Sequence, residues 1–99
     1  MLSIDIPNSV TIIEDTAFYN CTSLTSVTIG SGVTSIDSFR HCSSLISFTI
    51  LATTPPSLNG YIPFDDTNNC PIYVPSESVP IYKGANKWSD YVSRIQAIP

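Results

Sequence analysis

The chain has 99 residues, enough for one domain with one modest core. Its charged content of 12% is about half the usual share, and its net charge of −4 includes only four scattered cations: Arg40, Lys83, Lys87 and Arg94. Phosphate recognition needs clustered basic side chains, so nucleic acid is excluded as a partner, and no apolar run approaches the roughly 20 residues that insert across a membrane.

Met1 leads directly into Leu2-Ser3-Ile4-Asp5-Ile6, without the basic start and apolar stretch of a signal peptide. Ser3 to Ile6 alternates polar and apolar residues and predicts a strand. Pro7-Asn8-Ser9 is a turn, Val10 and Ile13 point inward around a second short strand, and Asp15 or Thr16 is placed to cap a helical turn at Ala17-Phe18-Tyr19. Thr25 to Ile29 is the next strand, followed by a turn at Gly30-Ser31-Gly32.

The chain then repeats itself. Val10, Ile13, Phe18, Cys21, Leu24, Val27 and Ile29 return as Val33, Ile36, Phe39, Cys42, Leu45, Phe48 and Ile50. The second copy lacks two residues between Ile36 and Phe39, which predicts a tightened turn there. Ile46 to Ile50 is a strand. Thr53-Thr54-Pro55-Pro56 excludes helix. Leu58 and Phe64 are expected in the slots of Val33 and Phe39, Asp65 to Asn69 is a loop, and Pro71 to Val74 is the last repeat strand. Beyond it, Ser76 is expected as the N-cap of a helix from Glu77 to about Asn86, with Pro80 near its first turn. Trp88, Tyr91, Val92 and Ile95 supply apolar bulk after it.

The closing residues Ile6, Ile29, Ile50 and Val74 lie 23, 21 and 24 residues apart, and the recognisable copies end in Leu-x-x-Val/Phe-x-Ile. That period is the mark of a leucine-rich repeat solenoid, whose units bury their apolar faces only against one another. The expected architecture is a short parallel β-sheet with one strand per turn and short irregular or helical crossovers. Residues 1–74 are repeats, and residues 75–99 are a helical cap over the last strand edge. Because the chain starts mid-pattern, it is expected to be a piece of a longer array whose N-terminal strand edge lies open to self-association.

Alternation turns Ile4, Val27, Phe48 and Ile72 inward with the closers. It lines up Asp5, Thr28 and Thr49 as one outward column and Ser3, Ser26 and Ser47 as another, with Ile46 and Tyr73 as larger features. The predicted binding face is therefore Asp5, Ser26, Thr28, Ile46, Ser47, Thr49 and Tyr73, weighed against a plain hydroxyl ladder that solvates the sheet. Catalysis is not expected. A hydrolase needs nucleophile, base and orienter, and His41, the single imidazole, occupies a crossover position matched by Asn20. The acid pairs Glu14-Asp15 and Asp65-Asp66 read as solvated loops. Asp65 to Asn69 is oxygen-rich but lacks calcium-loop spacing, so no cofactor and no metal is predicted. Trp88, Tyr91 and Tyr82 are either a sugar-stacking platform or core. Asn20-Cys21-Thr22 fits a glycosylation acceptor by chance. Cys21 and Cys42 share a repeat position, where they are either paired or a ladder of buried thiols.

The stretch Ile6-Pro7-Asn8-Ser9-Val10-Thr11-x-Ile13, followed by Ala17-Phe18-x-x-Cys21-x-Ser23-Leu24-Thr25-Ser26-Val27-Thr28-Ile29, closely resembles the BspA-like leucine-rich repeat. The tail is similar to the end of many such proteins from gut Bacteroidetes. It matches through Ala52-Thr53-Thr54-Pro55-Pro56, Pro71-Ile72-Tyr73-Val74-Pro75, Val79-x-x-Tyr82-Lys83, Trp88-Ser89-x-Tyr91 and Arg94-Ile95-x-Ala97-Ile98. The second copy departs from the pattern around Phe39. The resemblance implies a secreted or cell-surface bacterial adhesion module. Its implied partners are host matrix proteins, bacterial surface proteins or glycans, and it carries no catalytic residue over. The alternative is a purely structural C-terminal closure, with binding located in upstream repeats.

Overall fold

Parallel strands cannot be joined by tight hairpins, so each must be followed by a crossover that returns the chain to the same end of the sheet. Here the crossovers carry short strands of their own. The computed structural model describes residues 2–14, 21–37, 39, 41–58, 67 and 70–99. In chain order its strands are β1 (Leu2–Ile6), β2 (Ile12–Ile13), β3 (Leu24–Ile29), β4 (Ser35–Ile36), β5 (Ser47–Ile50), β6 (Ser57–Leu58), β7 (Ile72–Val74) and β8 (Ile95–Ala97). They form a five-stranded parallel sheet, β1-β3-β5-β7-β8, and a three-stranded parallel sheet, β2-β4-β6. The chain alternates between them through its first three coils, as a solenoid requires.

The predicted register holds. Ile4, Val27, Phe48, Ile72 and Ile95 stand in one inward row, and Ile6, Ile29, Ile50 and Val74 in another. Val27, Phe48, Ile72, Ile29, Ile50 and Val74 are almost wholly removed from water. Ile13, Ile36 and Leu58 face them from the smaller sheet. Phe39 keeps its inward slot despite the shortened second copy. It is fully buried and meets Phe48 edge to face, with ring centroids 4.8 Å apart. His41, two residues beyond Phe39, has φ 64°, a left-handed conformation that His and Asn adopt more readily than most residues. The helical turn expected at Ala17-Phe18-Tyr19 lies outside the described residues.

The turn after β3 explains the change from Pro7-Asn8-Ser9 to Gly30-Ser31-Gly32. Stacking the second turn on the first leaves no room for side chains. A Cβ at Gly30 would lie 2.6 Å from Asn8 Oδ1 and 2.7 Å from the Ile6 carbonyl oxygen, and one at Gly32 would overlap the Asn8 carbonyl. The Asn8 side chain in turn accepts the Ser31 N–H at 2.8 Å.

Four expectations are corrected. Leu58 pairs in register with Ile36, not Val33, because the two prolines before it occupy the earlier positions of that coil. Phe64 lies outside the described residues. The helix expected from Glu77 to Asn86 is shorter: a 3₁₀ turn at Ser76–Ser78, then α1 (Val79–Gly84). Ser76 does not cap it. Ser78 precedes α1 and gives its hydroxyl to the Thr53 carbonyl at 2.8 Å, not to the helix. The segment after Val74 is also not wholly helical, since it returns as β8 beside β7.

That segment closes the solenoid with side-chain donors. Tyr82 donates its hydroxyl to the Ala52 carbonyl at 2.7 Å, and Trp88 Nε1 donates to the Pro56 carbonyl at 2.8 Å. Both rings are buried and meet edge to face at 5.0 Å. Buried aromatic residues with a polar atom need a partner for it, and the irregular Ala52–Pro56 crossover supplies carbonyls that no sheet pairs. Arg94 does the same one coil on, donating to the Cys70 carbonyl at 2.8 Å and to Thr67 Oγ1 at 2.9 Å. Thr67 and Cys70 repeat a backbone contact of the earlier coils: Leu24 to Cys21, Leu45 to Cys42 and Cys70 to Thr67 all join an N–H to the carbonyl three residues back. Thr67 therefore holds the cysteine slot of the third coil, and Cys70 its leucine slot.

Candidate functional site

Six of the seven predicted residues fall in register along the outer face of the larger sheet. Register places Asp5 beside Thr28, Thr28 beside Thr49, and Thr49 beside Tyr73, so one column runs the width of the sheet. The second column, Ser3-Ser26-Ser47, ends where the Phe48 N–H bonds to the Pro71 carbonyl at 3.1 Å. Neighbouring rungs of such columns lie about 4.8 Å apart, and the two columns about 6.6 Å apart along each strand. Ser3 and Asp5 are exposed, while Ser26, Thr28, Ser47, Thr49 and Tyr73 are half-buried by their neighbours.

Ile46 stands just before β5, its N–H held by the Thr25 carbonyl at 2.7 Å. Its side chain is 59% exposed, the largest apolar group presented near these columns. The face is thus a hydroxyl surface with one carboxylate at its β1 end, one tyrosine near its far end and one isoleucine at its margin. Gln96 extends the Asp5 column beyond Tyr73, a member that sequence reasoning missed. The polar Gln96 beside the apolar Ile95 was the one available signal, hidden because that stretch follows a turn-rich segment.

The other candidates separate by burial. Trp88 and Tyr82 are core, 1% and 0% exposed, so neither offers a ring face to a sugar; Tyr91 is half-buried, with the Arg94 guanidinium 5.8 Å from its ring centroid. Cys21, Cys42 and Cys70 are all free thiols. Burial, the leading cause, pushes the Cys42 thiol up to about 11; the Cys21 backbone opposes the rise, while the Cys21 charge and side chain add smaller increments to it. Burial also raises the Cys70 thiol, opposed by the Arg94 guanidinium. The loop Asp65 to Asn69 lies outside the described residues except Thr67, whose hydroxyl is taken by Arg94. Asn20 of the glycosylation pattern lies outside them as well. Among the described residues no three acid, histidine or cysteine side chains gather as a metal site would need, and no helix is long and apolar enough to cross a membrane.

The groove and the hydroxyl columns meet at Asp5. A groove of about 430 Å³ lies at the β1 end, lined by Ile6, Pro7, Val10, Ile12 and Ile13 with Asp5 and Glu14. It exposes the apolar end of the first coil and holds no convergent polar groups of the kind that orient a small ligand.

In comparison with known proteins, a family model described as the BspA type leucine rich repeat region (6 copies) matches residues 1–89. No curated protein matches the chain.

Proposed function

The chain belongs to the BspA-type leucine-rich repeat family, a family of typically non-catalytic interaction modules associated with surface proteins, and we propose that it acts in adhesion through the outer face of its five-stranded sheet. The partner is an extended protein or glycan surface, on a host matrix or on another bacterium. The observation that carries this reading is the unbroken register of the Asp5-Thr28-Thr49-Tyr73 column beside the Ser3-Ser26-Ser47 column, with Ile46 exposed at its margin. Rows of hydroxyls at strand spacing offer donors and acceptors to a regular partner, and Tyr73 and Ile46 supply the amphipathic and apolar contacts that anchor interfaces.

The test is binding of the chain to immobilised matrix proteins and to a glycan array. Tyr73→Ala and Ile46→Asp should each lower affinity by about tenfold or more, the loss expected of an interface anchor. Unchanged binding in both variants would remove the outer face from the reading.

A second reading is supported by a different observation. Ser78, Tyr82, Trp88 and Arg94 all direct their donors at the crossovers beneath them. That is the behaviour of a segment that closes a solenoid. On this reading the chain is a structural terminus and adhesion resides in other repeats. Failure of this chain to bind any ligand that a longer array binds would favour it.

A further inference from the structure

Cys21 and Cys42 occupy equivalent turns of consecutive coils. The Leu24 N–H reaches the Cys21 carbonyl at 3.1 Å, and the Leu45 N–H reaches the Cys42 carbonyl at 3.2 Å. A few residues on, the Ile46 N–H is bonded to the Thr25 carbonyl at 2.7 Å and Ser26 pairs with Ser47, so the two turns are stacked in register. Stacked parallel backbones lie about 4.8 Å apart, inside the roughly 4.4–6.8 Å between α-carbons that a disulfide spans. The Cys42 thiol lies close enough to Cys21 for that residue to shift its titration. Cys42 is fully buried, while Cys21 is only half-buried and is the one a small reagent reaches. Cys70, although it too lies in the core, sits in the leucine slot of its coil, with its carbonyl and sulfur held by Arg94 at 2.8 and 3.4 Å.

We infer that Cys21 and Cys42 are a built dithiol that a low-molecular-weight disulfide closes into a reversible cross-link between the first two coils. The Cys21 thiolate attacks one sulfur of the small disulfide, forming a mixed disulfide and expelling one thiolate. Cys42 gives its proton to that thiolate and attacks the Cys21 sulfur, expelling the second. The net change converts two protein thiols and one small disulfide into one protein disulfide and two small thiols, so two electrons and two protons leave the protein. Burial of Cys42, which raises its thiol, makes the second step the slower one. The cross-link closes a loop of 22 residues. By limiting the unfolded chain it should raise the melting temperature by about 10–20 °C.

The test uses the full chain with oxidised glutathione at mildly alkaline pH, followed by acid quench, unfolding, alkylation with N-ethylmaleimide and intact-mass measurement. The reduced protein should take three alkyl groups and the oxidised monomer one, with no glutathione retained and the original count restored by dithiothreitol. Cys70→Ser should go from two alkyl groups to none. Cys21→Ser should keep both of its remaining thiols. A lasting glutathione adduct, a disulfide-linked dimer, an unchanged thiol count, or a Cys42–Cys70 link appearing in Cys21→Ser would each overturn the inference. The wild-type mass balance decides the matter even where a variant fails to fold.

Discussion

Replacing Tyr82 with Phe tests whether the closing segment is held by directed donors or by apolar bulk alone. The substitution keeps the ring, and with it the edge-to-face contact with Trp88 at 5.0 Å. It removes one atom group, the hydroxyl that donates to the Ala52 carbonyl at 2.7 Å in a fully buried setting. Burial alone raises the Tyr82 phenol well above its ordinary range, so the group stays a neutral donor at any working pH. A net hydrogen bond is worth about 1 kcal/mol, and withdrawing the donor from a buried acceptor costs about 1–3 kcal/mol. For a domain of this size that is a fall in melting temperature of roughly 5–20 °C. Urea unfolding followed by circular dichroism should show the midpoint falling with its slope unchanged, since the same surface is exposed. A change below about 0.5 kcal/mol would refute the reasoning, because it would place the whole weight of closure on packing.

Three further outcomes follow from the same physical account. Gly32→Ala should destabilise by about 1–3 kcal/mol in urea titration, because its methyl group meets the Asn8 carbonyl and the stacked turns have to separate. Under reducing conditions, stability should hold below pH 9 and decline as pH rises from 9 towards 11. The folded state keeps the Cys42 proton that the unfolded chain gives up near 9.0, and Cys42→Ala should lessen the decline. Ile46→Asp should change stability by less than about 0.5 kcal/mol, since its side chain lies largely in water, while lowering affinity in the adhesion assay.

The larger sheet was legible because its information is redundant. Each copy repeats the same inward pair two residues apart, and a one-residue slip would turn every one of them to solvent. Val27, Phe48 and Ile72 and the closers Ile29, Ile50 and Val74 thus set strand, face and register together. The hydroxyl columns then followed from parity. What the sequence hid was carried by tertiary pairing. A short strand was expected only at β2; β4 and β6, like it, have two residues each, too short for alternation to register, and they exist because successive crossovers stack. The third coil was obscured by exchange of residue types between slots, with Thr67 where Cys stands before and Cys70 where Leu does. Thr67 in that slot is intelligible only once Arg94 is seen to satisfy its hydroxyl from the far end of the chain. Gln96 was lost with β8, since three residues after a run of 3₁₀ turns carry little pattern.

The two ends of the sheet differ in a way that predicts how the chain associates. Among the described residues the sheet ends in β1 on one side and β8 on the other, and each leaves one edge unpaired. An edge strand invites pairing in proportion to its length and flatness, and charge or proline on it discourages this. β8 has three residues, and Pro99, which has no N–H, stands two residues beyond it. β1 has five residues and one charged side chain, Asp5, and beside it lies the apolar groove of Ile6, Pro7, Val10, Ile12 and Ile13. We therefore expect a weak two-fold dimer through antiparallel pairing of β1 with its copy, since an isologous contact closes on itself. Sedimentation velocity over a wide concentration range should show a reversible monomer–dimer equilibrium. Ser3 is exposed on β1, so Ser3→Lys should leave stability within about 0.5 kcal/mol and abolish the dimer, by setting two ammonium groups near the axis. A monomer at every concentration, or a dimer indifferent to Ser3→Lys, would mean that the β1 edge is solvated as it stands and that length and flatness do not govern association here.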